Sequence, residues 1–294
     1  MKFIQHISPI GQILLLYFLL LECFALLGWV GGSVFLTKEI LLTRLLFLTL
    51  FVVHYFAQRW LQEDQYQLLC FVSLYACFTL LYKETYFLNR DYPKVDEYLI
   101  GIDGWFFGFQ PSLVFSEIYS SPFFSELMFF GYFSYYLMPL ATVLLVYLYH
   151  KKHLQEFTFI ILGSFLVYYC IYILVPAVGP QYYFPNPQGE VEAQGLFGNL
   201  IKWIQKTGEK PTAAFPSSHV GIGVILLLWL YQNVRKYVFY FLSFVVTLCF
   251  STVYIKAHYA VDVVAGILSA PIVYYFNLKL LKLLQKRNHY AHFY

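Results

Sequence analysis

Eight apolar runs, near 10–35, 41–58, 66–82, 124–149, 156–175, 218–233, 237–255 and 259–279, take up most of this 294-residue chain. Each approaches the roughly 20 mainly apolar residues that a bilayer crossing needs. Backbone N–H and C=O groups in hydrocarbon must be paired within the segment or around a closed barrel, and the strict alternation of barrel strands is absent. The expected fold is therefore all-α, a polytopic membrane helical bundle of about eight spans. Hydrophobic residues make up 60% and charged residues 12%, against about 25% charged in an ordinary soluble domain. The first run is too long for a signal-peptide core and has no small-residue cleavage site, so it reads as a retained span.

Two stretches, 83–123 and 176–217, interrupt this pattern. Tyr98 to Phe115 mixes interface-seeking aromatics with Asp103, Gly108, Gln110 and Pro111, too broken for a span but suited to the membrane surface. Leu196–Ile204 carries apolar residues at i, i+1, i+4, i+5 and i+8, one face of a short helix lying along the membrane. Short basic turns set orientation. Arg59, Lys151-Lys152, Arg235-Lys236 and the tail residues Lys279, Lys282, Lys286 and Arg287 share one side if there are eight spans, so that side and both termini are expected to be cytoplasmic. The two long loops and the 255–258 turn then face outward, and the membrane is expected to be the plasma (inner) membrane.

The net charge of +3 is small and scattered, which argues against a nucleic-acid partner. The five cysteines, Cys23, Cys70, Cys77, Cys170 and Cys249, lie inside apolar runs with no Cys/His ligand spacing. They read as buried thiols, and neither a metal nor another cofactor is expected.

Chemistry-bearing residues stand at the edges of two late runs. Phe215-Pro216-Ser217-Ser218-His219 opens one, and Lys256-Ala257-His258-Tyr259-Ala260-Val261-Asp262 opens another. Positions i and i+4 share a helix face, so Asp262 can reach the ring of His258, fix its tautomer and support positive charge on it. His219 follows a turn whose unpaired backbone N–H groups suit an anion. The setting points to phosphoryl chemistry on a lipid. Ser217 also reads simply as a helix cap, and Lys256 as a snorkelling lysine. His6, His54 and His153 read as packing or interface residues, Glu22 and Arg44 as a structural pair, and Gly221, Gly223, Ala265 and Gly266 as close-packing positions.

The stretch from Phe215 to His219, followed by Ser251-Thr252-Val253-Tyr254-Ile255-Lys256-Ala257-His258-Tyr259-Ala260-Val261-Asp262-Val263-Val264-Ala265-Gly266, resembles the second and third motifs of the type 2 phosphatidic acid phosphatase superfamily. With no arginine six residues before the last histidine, it resembles the inositol phosphorylceramide synthase-like branch. Pro176-Ala177-Val178-Gly179-Pro180-Gln181 is a weaker match to the first motif. Tyr132-Phe133-Ser134-Tyr135-Tyr136 and Asp103-x-x-x-x-Gly108-x-x-Pro111 are only reminiscent. The likeness covers about 156–275 specifically and leaves the first two spans untouched.

The resemblance implies that His258 is a nucleophile on phosphorus, that Asp262 orients it, and that His219 protonates the departing oxygen and then activates the incoming hydroxyl. Ser217 and Ser218 would hold phosphoryl oxygens, with Lys256, Gln181 and Lys210 as further phosphate-binding candidates. A phosphohistidine splits one difficult transfer into two easier ones without a metal. Many phosphatase members have arginine where this chain has Gln181 and Thr252. A phosphate monoester carries about −1.5 to −2 charge, a diester only one negative charge, so losing two guanidinium positions fits a phosphorus esterified on both sides.

The expected organisation is two N-terminal helices over 1–62, a catalytic core of six spans over 63–280 and a basic cytoplasmic tail over 281–294. The expected function is transfer of an inositol phosphate-like headgroup from a phospholipid donor to a ceramide-like lipid acceptor. The alternatives are a lipid phosphatase acting on a monoester or diphosphate lipid, and a non-catalytic membrane scaffold.

Overall fold

The structure, a computed structural model, describes residues 7–32 and 37–291, with side chains described as far as 286. The expectations for His6, for Arg287 in the basic tail and for the last three residues lie outside that range. Among the described residues there are twelve α-helices and no strand. In chain order they are α1 (Pro9–Val30), α2 (Lys38–Trp60), α3 (Glu63–Asn89), α4 (Asp96–Phe107), α5 (Pro111–Ile118), α6 (Pro122–Tyr149), α7 (Leu154–Leu174), α8 (Pro180–Tyr183), α9 (Leu196–Gly208), α10 (Ser218–Asn233), α11 (Val238–Tyr254) and α12 (Ala260–Ala291).

Seven of these, α1, α2, α3, α6, α7, α11 and α12, are long and apolar enough to cross a membrane. The protein is an all-α polytopic membrane protein. The eighth expected span, α10, has 16 residues, or ~24 Å at 1.5 Å per residue, short of the ~30 Å hydrocarbon core. The 83–123 stretch forms α4 and α5, and the amphipathic 196–204 segment forms α9.

Local chemistry sets the helix starts. Ser8 precedes Pro9 and accepts from Gly11 N, Thr37 accepts from Ile40 N, and Ser217 accepts from Val220 N. Each supplies an oxygen to an N–H that the helix cannot satisfy. Pro139 and Pro271 lie inside α6 and α12. Such breaks are tolerated in membrane helices when neighbouring groups re-satisfy the backbone.

The chain groups into two compact units, 7–88 with 140–167 and 273–291, and 89–139 with 168–272. This differs from the expected 1–62 and 63–280 division, since α3 groups with α1 and α2. In the first unit the Arg44 guanidinium pairs with Glu22 and Glu84. His54 Nε2 lies 2.9 Å from Ser73 Oγ and Nδ1 lies 3.4 Å from Cys70 Sγ. Asn277 donates to Val273 O at 2.9 Å and to Ser164 Oγ at 3.3 Å.

In the second unit, the buried Asp96 and Asp103 and the half-buried Glu126 organise the backbone. Asp96 accepts from Val178 N and Gly179 N, both at 2.9 Å, and from the Tyr259 hydroxyl at 2.9 Å. Asp103 accepts from Ala260 N and Val261 N, each at 2.9 Å, and from Gln110 Nε2 at 3.0 Å. Glu126 accepts from Phe197 N and Gly198 N at 2.9 Å each. Each anion thus takes two consecutive N–H groups, and two of the three pairs lie at the first turn of a helix, α12 or α9, where the helix dipole also favours negative charge. Charge-assisted bonds of this kind contribute about 1.5–3 kcal/mol each. Gly179, at φ +86°, lets its loop pass so close to the 255–259 turn that a Cβ there would lie 2.9 Å from Ala257 O. At Gly266 a Cβ would meet Ser217 O at 2.6 Å, so only glycine allows α12 to run this near the start of α10.

Candidate active site

The turn after α11 aims His258. Lys256 N donates to Val253 O at 3.1 Å and Ala257 N to Thr252 O at 3.1 Å, the paired bonds of a Schellman ending. The left-handed position is usually glycine, but here it is Lys256 at φ +64°. A side chain there costs about 1–2 kcal/mol. His258 N donates to the same Thr252 carbonyl at 3.0 Å. The Thr252 hydroxyl is spent on Cys249 O at 3.0 Å, so this residue acts through its backbone.

The His258 ring is buried, and its two nitrogens have distinct partners. Nδ1 donates to Ala214 O at 2.8 Å, because a carbonyl can only accept. Asp262 Oδ2 lies 3.4 Å from the same Nδ1 and accepts from Tyr259 N at 2.9 Å. Asp262 is therefore within reach, as the i, i+4 spacing implies, but the shorter bond holding the ring comes from a backbone carbonyl that sequence pattern cannot reveal. Ala213, just before it, is the other non-glycine residue with positive φ, +67°. Among the described residues both such outliers flank His258, where strain is commonly kept for function.

With Nδ1 carrying the proton, Nε2 of neutral His258 presents a lone pair, and His219 Nδ1 lies 3.2 Å from it. His219 opens α10 and is enclosed by rings: Tyr132 stacks on it with centroids 4.7 Å apart, and Tyr135 lies at 4.2 Å. The remaining sequence candidates fall as follows. The Ser217 side chain caps α10, and its N–H donates to Asp262 O at 3.0 Å. Ser218 N donates to the Tyr172 hydroxyl at 3.0 Å. Lys210 O accepts from Thr212 N at 2.7 Å.

Lys256 Nζ donates to Gln188 O at 2.5 Å, at a cavity of about 320 Å³ that Glu117, Glu190 and Glu192 also line. Burial lowers the pKa of this ammonium, with Glu117 opposing the shift. The Gln181 side chain donates to Glu209 Oε2 at 2.8 Å and accepts from Gln205 Nε2 at 2.8 Å. Among the described residues, no group of three or more His, Cys, Asp and Glu could hold a metal ion.

Sequence reasoning missed Asp96, Glu126 and Glu209, and named Asp103, Tyr132 and Tyr135 without roles. Glu209 accepts from the Tyr132 hydroxyl at 3.2 Å. Burial raises its carboxyl above the usual range, while bonds from Gln181 and Tyr132 oppose the rise. Burial likewise raises Asp103 against its three donors. The available signal, a weak one, was an acidic residue shortly before an aromatic stretch or a Pro-Ser-Ser turn: Asp96 is two positions before Tyr98 and Glu209 seven before Pro216.

The model of the PAP2 superfamily matches residues 97–276, more than half of the chain. The chain belongs to the PAP2 superfamily. Members of this superfamily are phosphatases or phosphotransferases, so the chain belongs to a lipid phosphatase and phosphotransferase family. It is also 35% identical over 97 residues to the inositol phosphorylceramide synthase catalytic subunit aur1 of Schizosaccharomyces pombe, a match covering 32% of this chain and 23% of that protein. The chain thus spans under a quarter of the length of the relative it matches. No solved structure matches it.

Proposed function

We propose that this PAP2 protein is a lipid phosphotransferase that moves a phospho-headgroup from a glycerophospholipid to a lipid hydroxyl through a phosphohistidine. The observation that carries the reading is the His258–His219 pair. One imidazole has its far nitrogen tied to Ala214 O, and its near nitrogen lies 3.2 Å from a second imidazole. In the first step Nε2 of His258 attacks phosphorus, the bond to the diacylglycerol oxygen breaks, and His219 supplies the proton to that oxygen. In the second step His219 takes the proton of the acceptor hydroxyl, whose oxygen displaces His258 from phosphorus. Ala214 O and Asp262 stabilise the imidazolium-like ring in between. A phosphoryl group bonded to Nε2 of His258 lies beside Nδ1 of His219, the nitrogen that moves the proton.

The resemblance to inositol phosphorylceramide synthase, reinforced by the similarity to aur1, makes an inositol phosphate-like headgroup and a ceramide-like acceptor the first substrates to try. With the 16-residue α10 counted as a short eighth crossing, the basic short turns support an outward-facing site with both termini cytoplasmic. Purified protein is to be given phosphorus-labelled phosphatidylinositol with and without ceramide, before and after exhaustive EDTA treatment. A labelled lipid that appears only with ceramide, and survives EDTA, is expected. Release of inorganic phosphate from a monoester lipid instead makes the protein a phosphatase, and inactivity across a broad lipid panel makes it a scaffold.

A further inference from the structure

The phosphoryl-transfer reading leaves unexplained a second carboxylate, Glu209, that is linked to the two histidines through neighbouring side chains. Glu209 follows α9 at the end of a chain of side chains: Gln205 donates to Gln181, and Gln181 donates to Glu209 Oε2. On its other oxygen it accepts from the hydroxyl of Tyr132, whose ring stacks on His219. Through Gln181 it is also tied to the His258 turn, because Gln181 N donates to Lys256 O at 2.8 Å. One residue, Tyr132, therefore separates Glu209 from His219, and Gln181 ties it to the turn that carries His258. Both of these hydrogen bonds come from neutral groups, a phenol and an amide. They favour the ionised carboxyl, against the burial that raises it, and do not cancel its charge. The fields that reach it are those of His258 and, after it, Lys202.

We infer that Glu209 is a specificity-determining residue that selects esters by charge: it admits a monoanionic phosphodiester and disfavours a dianionic monoester. The inference rests on the phosphoryl-transfer reading for the location of the phosphate. A diester brings one negative charge to the site, whereas a monoester at neutral pH brings up to two. At an effective dielectric near 20, each added unit charge several ångströms from a fixed carboxylate weakens binding on the order of tenfold or more. Water, the acceptor in phosphatase chemistry, is not what this arrangement excludes. It disfavours the monoester that a phosphatase would take as substrate, and so biases the same histidines towards diester donors.

The test compares kcat/KM for phosphatidic acid hydrolysis with kcat/KM for phosphatidylinositol cleavage in one detergent preparation each of wild type, Glu209→Gln, Glu209→Asp and His258→Ala. Taking a ratio within a preparation removes differences in active fraction. Glu209→Gln is expected to raise the monoester-to-diester ratio about tenfold, and Glu209→Asp, which keeps the charge, to stay near the wild-type ratio. An unchanged ratio in Glu209→Gln, or equal loss of both activities, overturns the inference and leaves Glu209 as a brace for Tyr132 and Gln181. A second measurement needs neither turnover nor the variant. Thermal shifts of wild type at pH 8 are compared for inorganic phosphate, a dianion, and dimethyl phosphate, a monoanion. Stronger stabilisation by dimethyl phosphate is expected, and stronger stabilisation by inorganic phosphate overturns the inference. Activity that persists in His258→Ala, or none in wild type, instead breaks the phosphoryl-transfer reading, and the two-anion comparison still decides the charge preference.

Discussion

Charged side chains are used differently in the two units of this protein. In the first, ions meet ions: Arg44 lies between Glu22 and Glu84, and Lys151 Nζ lies 2.5 Å from Asp64. In the second, Asp96, Asp103 and Glu126 meet pairs of backbone N–H groups, and Asp262 combines one backbone N–H with the His258 ring. A pair of side-chain ions joins helices but leaves each backbone where its own packing puts it. A carboxylate bridging two N–H groups fixes the position and direction of a turn. The second arrangement is what an active site needs, because displacement of a reacting nitrogen by about 1 Å can cost 100-fold in rate. Ion use therefore separates a region that must merely hold together from one that must aim.

The sharpest way to break this contrast is to substitute one residue from each unit. His258→Ala is expected to abolish transfer, a loss of at least about 1,000-fold, with stability falling by only about 1–3 kcal/mol from the Ala214 carbonyl and Asp262 carboxylate left without the ring. Arg44→Gln should do the reverse. It leaves two carboxylates without their guanidinium among apolar helices, a destabilisation of about 3–5 kcal/mol, while the folded fraction keeps its kcat. Activity per folded molecule, from assays normalised by size-exclusion peak area, checks both. Near wild-type turnover in His258→Ala would end the mechanism proposed for this chain, and a large fall in kcat for folded Arg44→Gln would end the division of labour.

A smaller effect is expected at Asp103, whose two oxygens hold the first two N–H groups of α12. Asp103→Asn keeps one acceptor and loses the charge, so His258 and Asp262, which flank those groups, are held less firmly. Transfer should fall roughly 10- to 100-fold in kcat with little change in KM, in keeping with a positioning residue. Glu22→Gln, made in parallel, should leave kcat unchanged. Equal behaviour of the two variants would erase the distinction between aiming and holding.

The sequence made the helices and the His258–Asp262 contact legible because both depend on local spacing. Eight apolar runs correspond to eight helices, and an i, i+4 separation is enough to bring Asp262 within 3.4 Å of His258. What stayed hidden depends on contacts between distant segments. The Ala214 carbonyl on His258 spans 44 positions, Asp103 to Val261 spans 158, and Asp96 to Tyr259 spans 163. No periodicity in a single chain marks such partners, and a backbone acceptor leaves no residue-type trace at all. The expected phosphate role of Gln181 rested on its place in a motif, whereas the partners that turn its amide towards Glu209 and Gln205 lie 28 and 24 positions away.

The smallest expected effect tests whether Lys256 belongs to the holding or the aiming kind. Its ammonium reaches Gln188 O, and its backbone occupies the left-handed position of the Schellman turn before His258. These two contributions can be separated by substitution. Glycine adopts positive φ without penalty, so Lys256→Gly removes the ammonium while relieving strain, and the turn should gain about 1 kcal/mol. Lys256→Ala removes the ammonium and keeps the strained backbone. If the residue works only through the turn, both variants keep kcat within about threefold of wild type, a difference of less than 1 kcal/mol in barrier, and only the glycine variant melts higher. If the ammonium meets the phosphate during transfer, both variants lose rate together, and restoring the charge with Lys256→Arg returns it. The structure favours the first outcome, because the ammonium already has an acceptor in the 187–192 loop and stands at a cavity whose other charged walls are carboxylates. A phosphate approaching from that side would meet more negative charge than positive. A shared loss of rate in the glycine and alanine variants would therefore move Lys256 from the turn to the phosphoryl site, and would add a cation to the carboxylate-based aiming that distinguishes the second unit.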